Sequence, residues 1–205
     1  WLTPDQVSLK NNSYFDENDQ PVEIGKVEKM SKSKKNVIDP SSIITLYGAD
    51  TARWFMLSDS PPERDLEWTE FGISGSYKFI NKIWDIVNNT IHNKFVFSNN
   101  SKDENLDMEM SNTIQRVTTN INLFHYNKAV ANIYEIIKVL QNYLKEEVVS
   151  KKCTLENLKI LSLLIQPFTP HLSEEMWKKL GSSALAVNQP WPKPTKTKTL
   201  KNCNI

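Results

Sequence analysis

Apolar residues follow two regimes along the 205-residue chain, irregular before Pro61 and helix-spaced after it. Beyond the Pro61-Pro62 break, Ile73, Tyr77, Ile80, Trp84, Val87 and Ile91 recur every three or four residues and predict one buried stripe. Met110, Ile114, Val117, Ile121 and Phe124 predict a second. Asn127 is placed to cap a third helix that buries Val130, Ile133, Ile137, Leu140 and Leu144. Thr154 begins a fourth through Leu155, Leu158, Leu161 and Ile165, which Pro167 stops. Pro170 suits the first turn of a fifth helix that ends before Gly181. Five helices on short connections predict an antiparallel bundle.

The first 28 residues lack helical period. Tyr14 to Ile24 reads as a β-hairpin, with Glu17 to Gln20 supplying the turn. Pro40 with Ser41 or Ser42 starts a short helix that Gly48 ends, and Asp50 is expected as the N-cap of the next, through about Leu57. The expected fold is therefore mainly α: a short β-hairpin and a loop segment, then the bundle. Expected domains are 1–60, 61–190 for the bundle, and a disordered tail at 191–205, whose Thr195 to Asn202 is poor in apolar residues. Polar, asparagine-rich Ser98 to Asn105 is expected to be a flexible loop.

Charge changes the picture at one place. Lys26, Lys29, Lys32, Lys34 and Lys35 crowd a segment whose single acid is Glu28, although the whole chain carries a net charge of only +1. Such a run is usually a solvated face. Here Ser31 and Ser33 alternate with lysines in Lys29-Met30-Ser31-Lys32-Ser33, which suits a polyanion: ammonium groups on flexible stems beside hydroxyl donors. Serines also favour turns for local backbone reasons, so a purely structural role for them is an equal reading. His92, His125 and His171 show no ligand spacing, and neither do Cys153 and Cys203, so no metal site is expected. Two cysteines far apart suit a reducing compartment. No apolar run reaches the roughly 18 residues of a membrane span.

The block from Lys29 to Pro40 resembles the second ATP signature, the KMSKS loop, of class I aminoacyl-tRNA synthetases. Tyr47-Gly48-Ala49-Asp50 is similar to an element shared by the isoleucine and valine enzymes. Pro61-Pro62-Glu63 and Leu66-Glu67-Trp68 narrow the resemblance to leucyl-tRNA synthetase of bacterial type. Gly75, Tyr77, Phe79 and Trp84 fit the same family, as do Pro167-Phe168-Thr169-Pro170-His171, Glu174-Glu175-Met176-Trp177 and Pro190-Trp191-Pro192.

The resemblance implies a leucine–tRNA ligase that takes ATP with Mg²⁺, leucine and tRNA-Leu, in the cytoplasm and as a monomer. It implies that Lys32 is catalytic, holding the leaving phosphates, and that Lys29, Met30, Ser31, Lys32 and Ser33 bind ATP. The bundle corresponds to the anticodon-binding-type domain, and the Pro167 to His171 element is expected to be a corner between helices rather than a catalytic feature. The chain starts at Trp1, lacks a His-x-Gly-His signature and does not continue into the family's small C-terminal domain. It is therefore expected to be an internal or C-terminal piece that does not aminoacylate alone. Other readings stay open: a non-catalytic RNA-binding helical module or a remnant of a split synthetase gene, and a piece of an isoleucyl- or valyl-tRNA synthetase.

Overall fold

The computed structural model describes residues 2, 6–26, 28–34, 36–92, 101–146 and 148–195. It divides into two compact units, 1–46 and 47–205. The division falls ahead of the expected one at residue 60 because the helix after Gly48 carries Trp54, whose ring is fully buried in the core of the second unit.

The first unit opens with a three-stranded antiparallel sheet, β1 (Val7–Lys10), β2 (Ser13–Asp16) and β3 (Pro21–Val22). The expected hairpin is present: Tyr14 pairs with Val22, and the Asp16 carboxylate accepts from the N–H groups of Asn18 and Gln20 at 2.9 and 2.8 Å. A second hairpin precedes it. Val7 pairs with Asp16 and Lys10 with Ser13 across a two-residue turn at Asn11 and Asn12. Their φ angles of 47° and 65° are those a tight hairpin turn needs and asparagine tolerates. Helix α1 (Pro40–Tyr47) closes this part of the chain.

In the second unit, α2 (Ala49–Ser58) and α3 (Glu70–His92) lead into α4 (Ser101–Asn122), α5 (Tyr126–Tyr143), α6 (Lys151–Ile165) and α7 (Pro170–Lys179). The α3–α7 helices are the five expected from periodicity. Neighbouring pairs α4–α5 and α6–α7 pack closely, and α2 lies against α3, α5 and α7. Val130, Ile133, Ile137 and Leu140 of α5 and Leu158, Leu161 and Ile165 of α6 are buried as expected.

Several expectations are corrected. The buried stripe of α3 runs through Ile73, Ser76, Phe79, Ile83, Val87 and Thr90, leaving Tyr77 exposed and Trp84 half-buried beneath the Lys179 ammonium. Ser76 is buried at little cost because its hydroxyl donates to the Gly72 carbonyl at 3.1 Å. The side chain of Ile91, and residues 98–100 of the expected loop, lie outside the described residues. The remainder of that loop is helical, since α4 starts at Ser101 with Asp103 and Glu104 in a first turn that favours negative charge. Phe124 is outside the core, 63% exposed in the α4–α5 turn with φ of 57°. Caps move by a few residues: Ser150 caps α6 by accepting from Cys153 N–H at 3.3 Å, and α5 begins at Tyr126.

At one end of the bundle a buried polar cluster joins three helices. Tyr143 donates to Asp103 at 2.6 Å and accepts from Ser150 N–H at 3.0 Å. Asp107 accepts from Asn157 at 2.6 Å and from the Cys153 thiol at 3.4 Å. Residues Trp191 to Thr195, expected in the tail, are held on α4: Trp191 Nε1 donates to Thr118 Oγ1 at 2.8 Å and Ser111 donates to the Thr195 carbonyl at 3.0 Å. Residues 196–205 lie outside the described residues.

Candidate functional site

The basic segment folds as a loop whose tip is one 3-10 turn, Lys32–Lys34. Lys34 N–H returns to the Ser31 carbonyl at 3.2 Å and to Ser31 Oγ at 3.3 Å. Ser31 Oγ also meets Ser33 Oγ at 3.2 Å. Asn36 clasps the loop from behind: its Oδ1 accepts from Ser31 N–H at 2.7 Å, and its Nδ2 donates to the Lys29 carbonyl at 3.4 Å. One carboxamide thus holds both Lys29 and Ser31 of the segment that the sequence singles out.

This arrangement sorts the lysines. Lys34 pairs with Glu28, so its charge is already balanced. Lys29 and Lys32 are exposed and have no carboxylate partner among the described residues. Met30, between them, is 43% exposed. The five sequence-predicted residues therefore share one short loop that offers two ammonium groups and two hydroxyls. In chemistry such a set is suited to phosphate oxygens, and it has no group suited to abstract a proton.

Immediately downstream, Asp39 anchors the loop to α1. Its carboxylate accepts from Ser41 N–H at 3.1 Å and Ser42 Oγ at 3.0 Å, with Pro40 at the first helical position. Those bonds, the Ser41 N–H first, hold the Asp39 carboxyl below its ordinary value of 3.8. Among the described residues no three His, Cys, Asp or Glu side chains cluster in a way that could hold a metal ion.

In the second unit, two of the sequence motifs meet. Asp50 does not cap its own helix, because Gly48, at φ of 84°, occupies the N-cap position and makes Asp50 the second residue of the helix. Its buried carboxylate instead accepts from Leu172 N–H at 2.7 Å and lies 2.8 Å from His171 Nδ1, capping α7 from outside. Arg53 donates to the carbonyls of Phe168 at 3.1 Å and Pro167 at 2.7 Å. The Pro167 to His171 element is thus a helix corner clasped by α2. Trp54 fills the space behind, donating to Tyr134 Oη at 3.1 Å, with the rings of Phe79 and Phe168 5.3 and 5.9 Å away.

The Leu66-Glu67-Trp68 element packs on the other side of α2, where Trp68 meets Phe55 edge-on at 5.3 Å. A Cβ on Gly72 would stand 2.4 Å from the Phe55 ring, so glycine there is set by close approach. Glu70 accepts from Tyr47 at 3.3 Å and Trp68 at 3.4 Å. Asn36 and Arg53 are positioning residues to which periodicity and spacing give no role, and Asp50, expected to cap its own helix, caps α7 instead.

The loop and the helical bundle find their counterparts together in known proteins. Residues 22–69 match the sequence model of "tRNA synthetases class I (I, L, M and V)", and residues 103–204 match that of the "Anticodon-binding domain of tRNA ligase". A leucine–tRNA ligase of Rhizorhabdus wittichii is 39% identical over 94% of the chain. The chain belongs to the class I aminoacyl-tRNA synthetases. A leucine–tRNA ligase of Maricaulis maris is 37% identical over 94% of this synthetase chain. The synthetase segment spans only 21% and 23% of the lengths of those two relatives. Among solved structures, the LeuRS–tRNA–LeuAMS ternary complex of Agrobacterium radiobacter K84 agnB2 superposes with a TM-score of 0.74 at 27% identity, over 81% of this chain and 22% of that one. A Mycobacterium tuberculosis methionyl-tRNA synthetase in complex with methionyl-adenylate shares the fold, with a TM-score of 0.58 at 19% identity over 72% of this chain and 34% of that one. No described helix of the synthetase chain is long and apolar enough to cross a membrane.

Proposed function

We propose that this chain is the part of a leucine–tRNA ligase that carries the second ATP-binding signature and the tRNA-binding bundle. The observation that carries the reading is the clasped loop, with Lys29 and Lys32, which have no carboxylate partner among the described residues, beside Ser31 and Ser33. It is supported by leucine–tRNA ligase relatives along 94% of the chain. The flanking elements favour leucine over isoleucine or valine.

In the proposed reaction a leucine carboxylate oxygen bonds to the α-phosphorus of ATP while the bond to the bridging oxygen breaks, leaving leucyl-adenylate and pyrophosphate. A hydroxyl at the tRNA end then attacks the leucyl carbonyl and releases AMP. Charge accumulates on the departing phosphates in the first step, and Lys32 offsets it, with Lys29 assisting and the serine hydroxyls donating to phosphate oxygens. Mg²⁺ arrives with ATP as part of the substrate.

A unit charge pair at 4 Å is worth about 1 kcal/mol in bulk water and about 4 kcal/mol near a protein surface. The loop therefore needs the enclosure of a whole active site to matter, and the remaining length of a ligase would supply the leucine pocket and the rest of the ATP site. On this reading the segment alone does not aminoacylate, and the complete enzyme works in the cytoplasm.

The test replaces the matching segment of the Rhizorhabdus wittichii ligase with this chain. Leucine-dependent ATP–pyrophosphate exchange and charging of tRNA-Leu are expected. A folded chimera without exchange would overturn the reading.

A further inference from the structure

In the second unit a groove of about 440 Å³ opens where α2, α4, α5 and the corner before α7 converge. Met56 and Leu57 of α2, Ile121 of α4, Tyr126 of α5, and Pro167 and Phe168 of the corner make its lining apolar. Among the described residues Arg53 is the one charged side chain in that lining. Its Nε and Nη2 donate to the Phe168 and Pro167 carbonyls at 3.1 and 2.7 Å. Those acceptors are neutral, and Arg53 has no carboxylate partner among the described residues. The fork is therefore held in place with its charge unbalanced.

The apolar surface continues past the groove. Met56 is 58% exposed, and Tyr126 touches both Phe168 at 6.4 Å and Phe124 at 6.0 Å, so the Phe124 ring extends the lining outward. Phe124 follows α4 with φ of 57°, at a place where helices usually carry glycine or asparagine, and its N–H returns to the Ile121 carbonyl at 3.0 Å. That conformation costs a bulky residue energy. Packing within the bundle does not offset the cost, because the ring is 63% exposed.

We propose that this face docks a segment of the ligase polypeptide lying beyond this chain, a segment that seats a bulky apolar side chain in the groove and sets an Asp or Glu carboxylate against Arg53. The inference rests on the reading of the chain as part of a ligase: a chain that spans 21% and 23% of its relatives' lengths leaves most of such a polypeptide to supply the occupant. Charge selects the anion, because a carboxylate meets the planar guanidinium fork and balances it. Composition selects protein over nucleic acid. Aromatic, Met and Arg side chains are the ones enriched where protein surfaces meet, whereas a phosphodiester backbone calls for several cations and this groove offers one.

The experiment compares hydroxyl-radical oxidation of Met56 and Phe124, read by mass spectrometry against a radical dosimeter, in the full 205-residue chain and in the Rhizorhabdus wittichii chimera that carries it. Both side chains should react readily in the chain alone and about fivefold or more slowly in the chimera, without tRNA present. Met56→Glu, a change at an exposed position, should leave the melting temperature of the isolated chain unchanged and lower that of the chimera. In an Arg53→Lys chimera, a carbodiimide should join the introduced amine to an Asp or Glu outside the exchanged segment.

Equal oxidation of Met56 and Phe124 in the two proteins would overturn the proposal, and so would protection that appears only when a tRNA-Leu transcript is added, which would make this a nucleic-acid face. Protection that grows with the concentration of the isolated chain would assign the groove to a second copy and overturn it as well. Cross-links confined to carboxylates of the exchanged segment would overturn the pairing with Arg53. None of these results touches the ligase reading, which stands on pyrophosphate exchange by the chimera. A chimera that protects both side chains but lacks exchange would remove that activity and keep the docking face.

Discussion

The carboxylate of Asp50 accepts the backbone N–H of Leu172 at 2.7 Å, so a residue of α2 caps a helix 120 positions later in the chain. The helix N-terminus favours the negative charge, and burial of the carboxylate makes its partners necessary. Asp50→Ala should lower stability by about 2–3 kcal/mol, and Asp50→Asn by less, since the amide oxygen still accepts. Urea unfolding checks both. Equal stabilities for all three proteins would mean that the cap carries no energy.

Trp54 and Trp84 separate core from surface within the same bundle. Trp54 is fully buried and hydrogen-bonded to Tyr134, whereas Trp84 is half-buried under Lys179. Trp54→Ala should cost about 3–5 kcal/mol. Trp84→Ala should cost less than half of that, and thermal melting that ranks them the other way would contradict the assigned helix face.

That rotation of α3 shows where sequence patterning stops. Two stripes are compatible with its apolar spacing, and the one with more aromatic residues is not the buried one, because Ser76 and Thr90 take core positions. The α5 helix is less ambiguous: Val130, Ile133, Ile137 and Leu140 are buried as expected, while Leu144 lies past the helix end and is half-buried. In the loop, the contiguous Lys29 to Ser33 run was readable as an anion-binding element, but Asn36 was not. Its role depends on folding the chain back on itself. The roles of Asp50, expected as a cap of its own helix, and of Arg53 were not legible for a related reason: their partners, at Pro167 to Leu172, are adjacent only in three dimensions. The Asn11-Asn12 turn did carry a local signal, two residues that both tolerate positive φ.

Cys153 should be a poor nucleophile. Burial, then the charge of Asp107, pushes its thiol up from an ordinary 9.0 to about 12. In a Cys203→Ser background, thiol labelling at pH 8 should be slow in buffer and fast in urea. The sign for stability follows: between about pH 9 and 12 the unfolded thiol ionises while the folded one stays protonated, so this group's contribution is complete below pH 9 and is lost as pH rises. Rapid labelling of the folded protein at pH 8 would contradict the buried environment.

Asn36 positions the loop without presenting charge. In the chimeric ligase, Asn36→Ala should slow leucine-dependent exchange by about tenfold, with most of the effect in the KM for ATP. An effect confined to tRNA charging would argue that the clasp serves some other part of the molecule.

The central claim is that Lys32 stabilises charge on departing phosphates, and the direct measurement is leucine-dependent ATP–pyrophosphate exchange by the Lys32→Ala chimera. The expected result is a fall in kcat of about 10²–10³-fold, with the affinity for tRNA-Leu unchanged. An exchange rate equal to that of the unsubstituted chimera, or an equal loss of exchange and tRNA affinity, would contradict it.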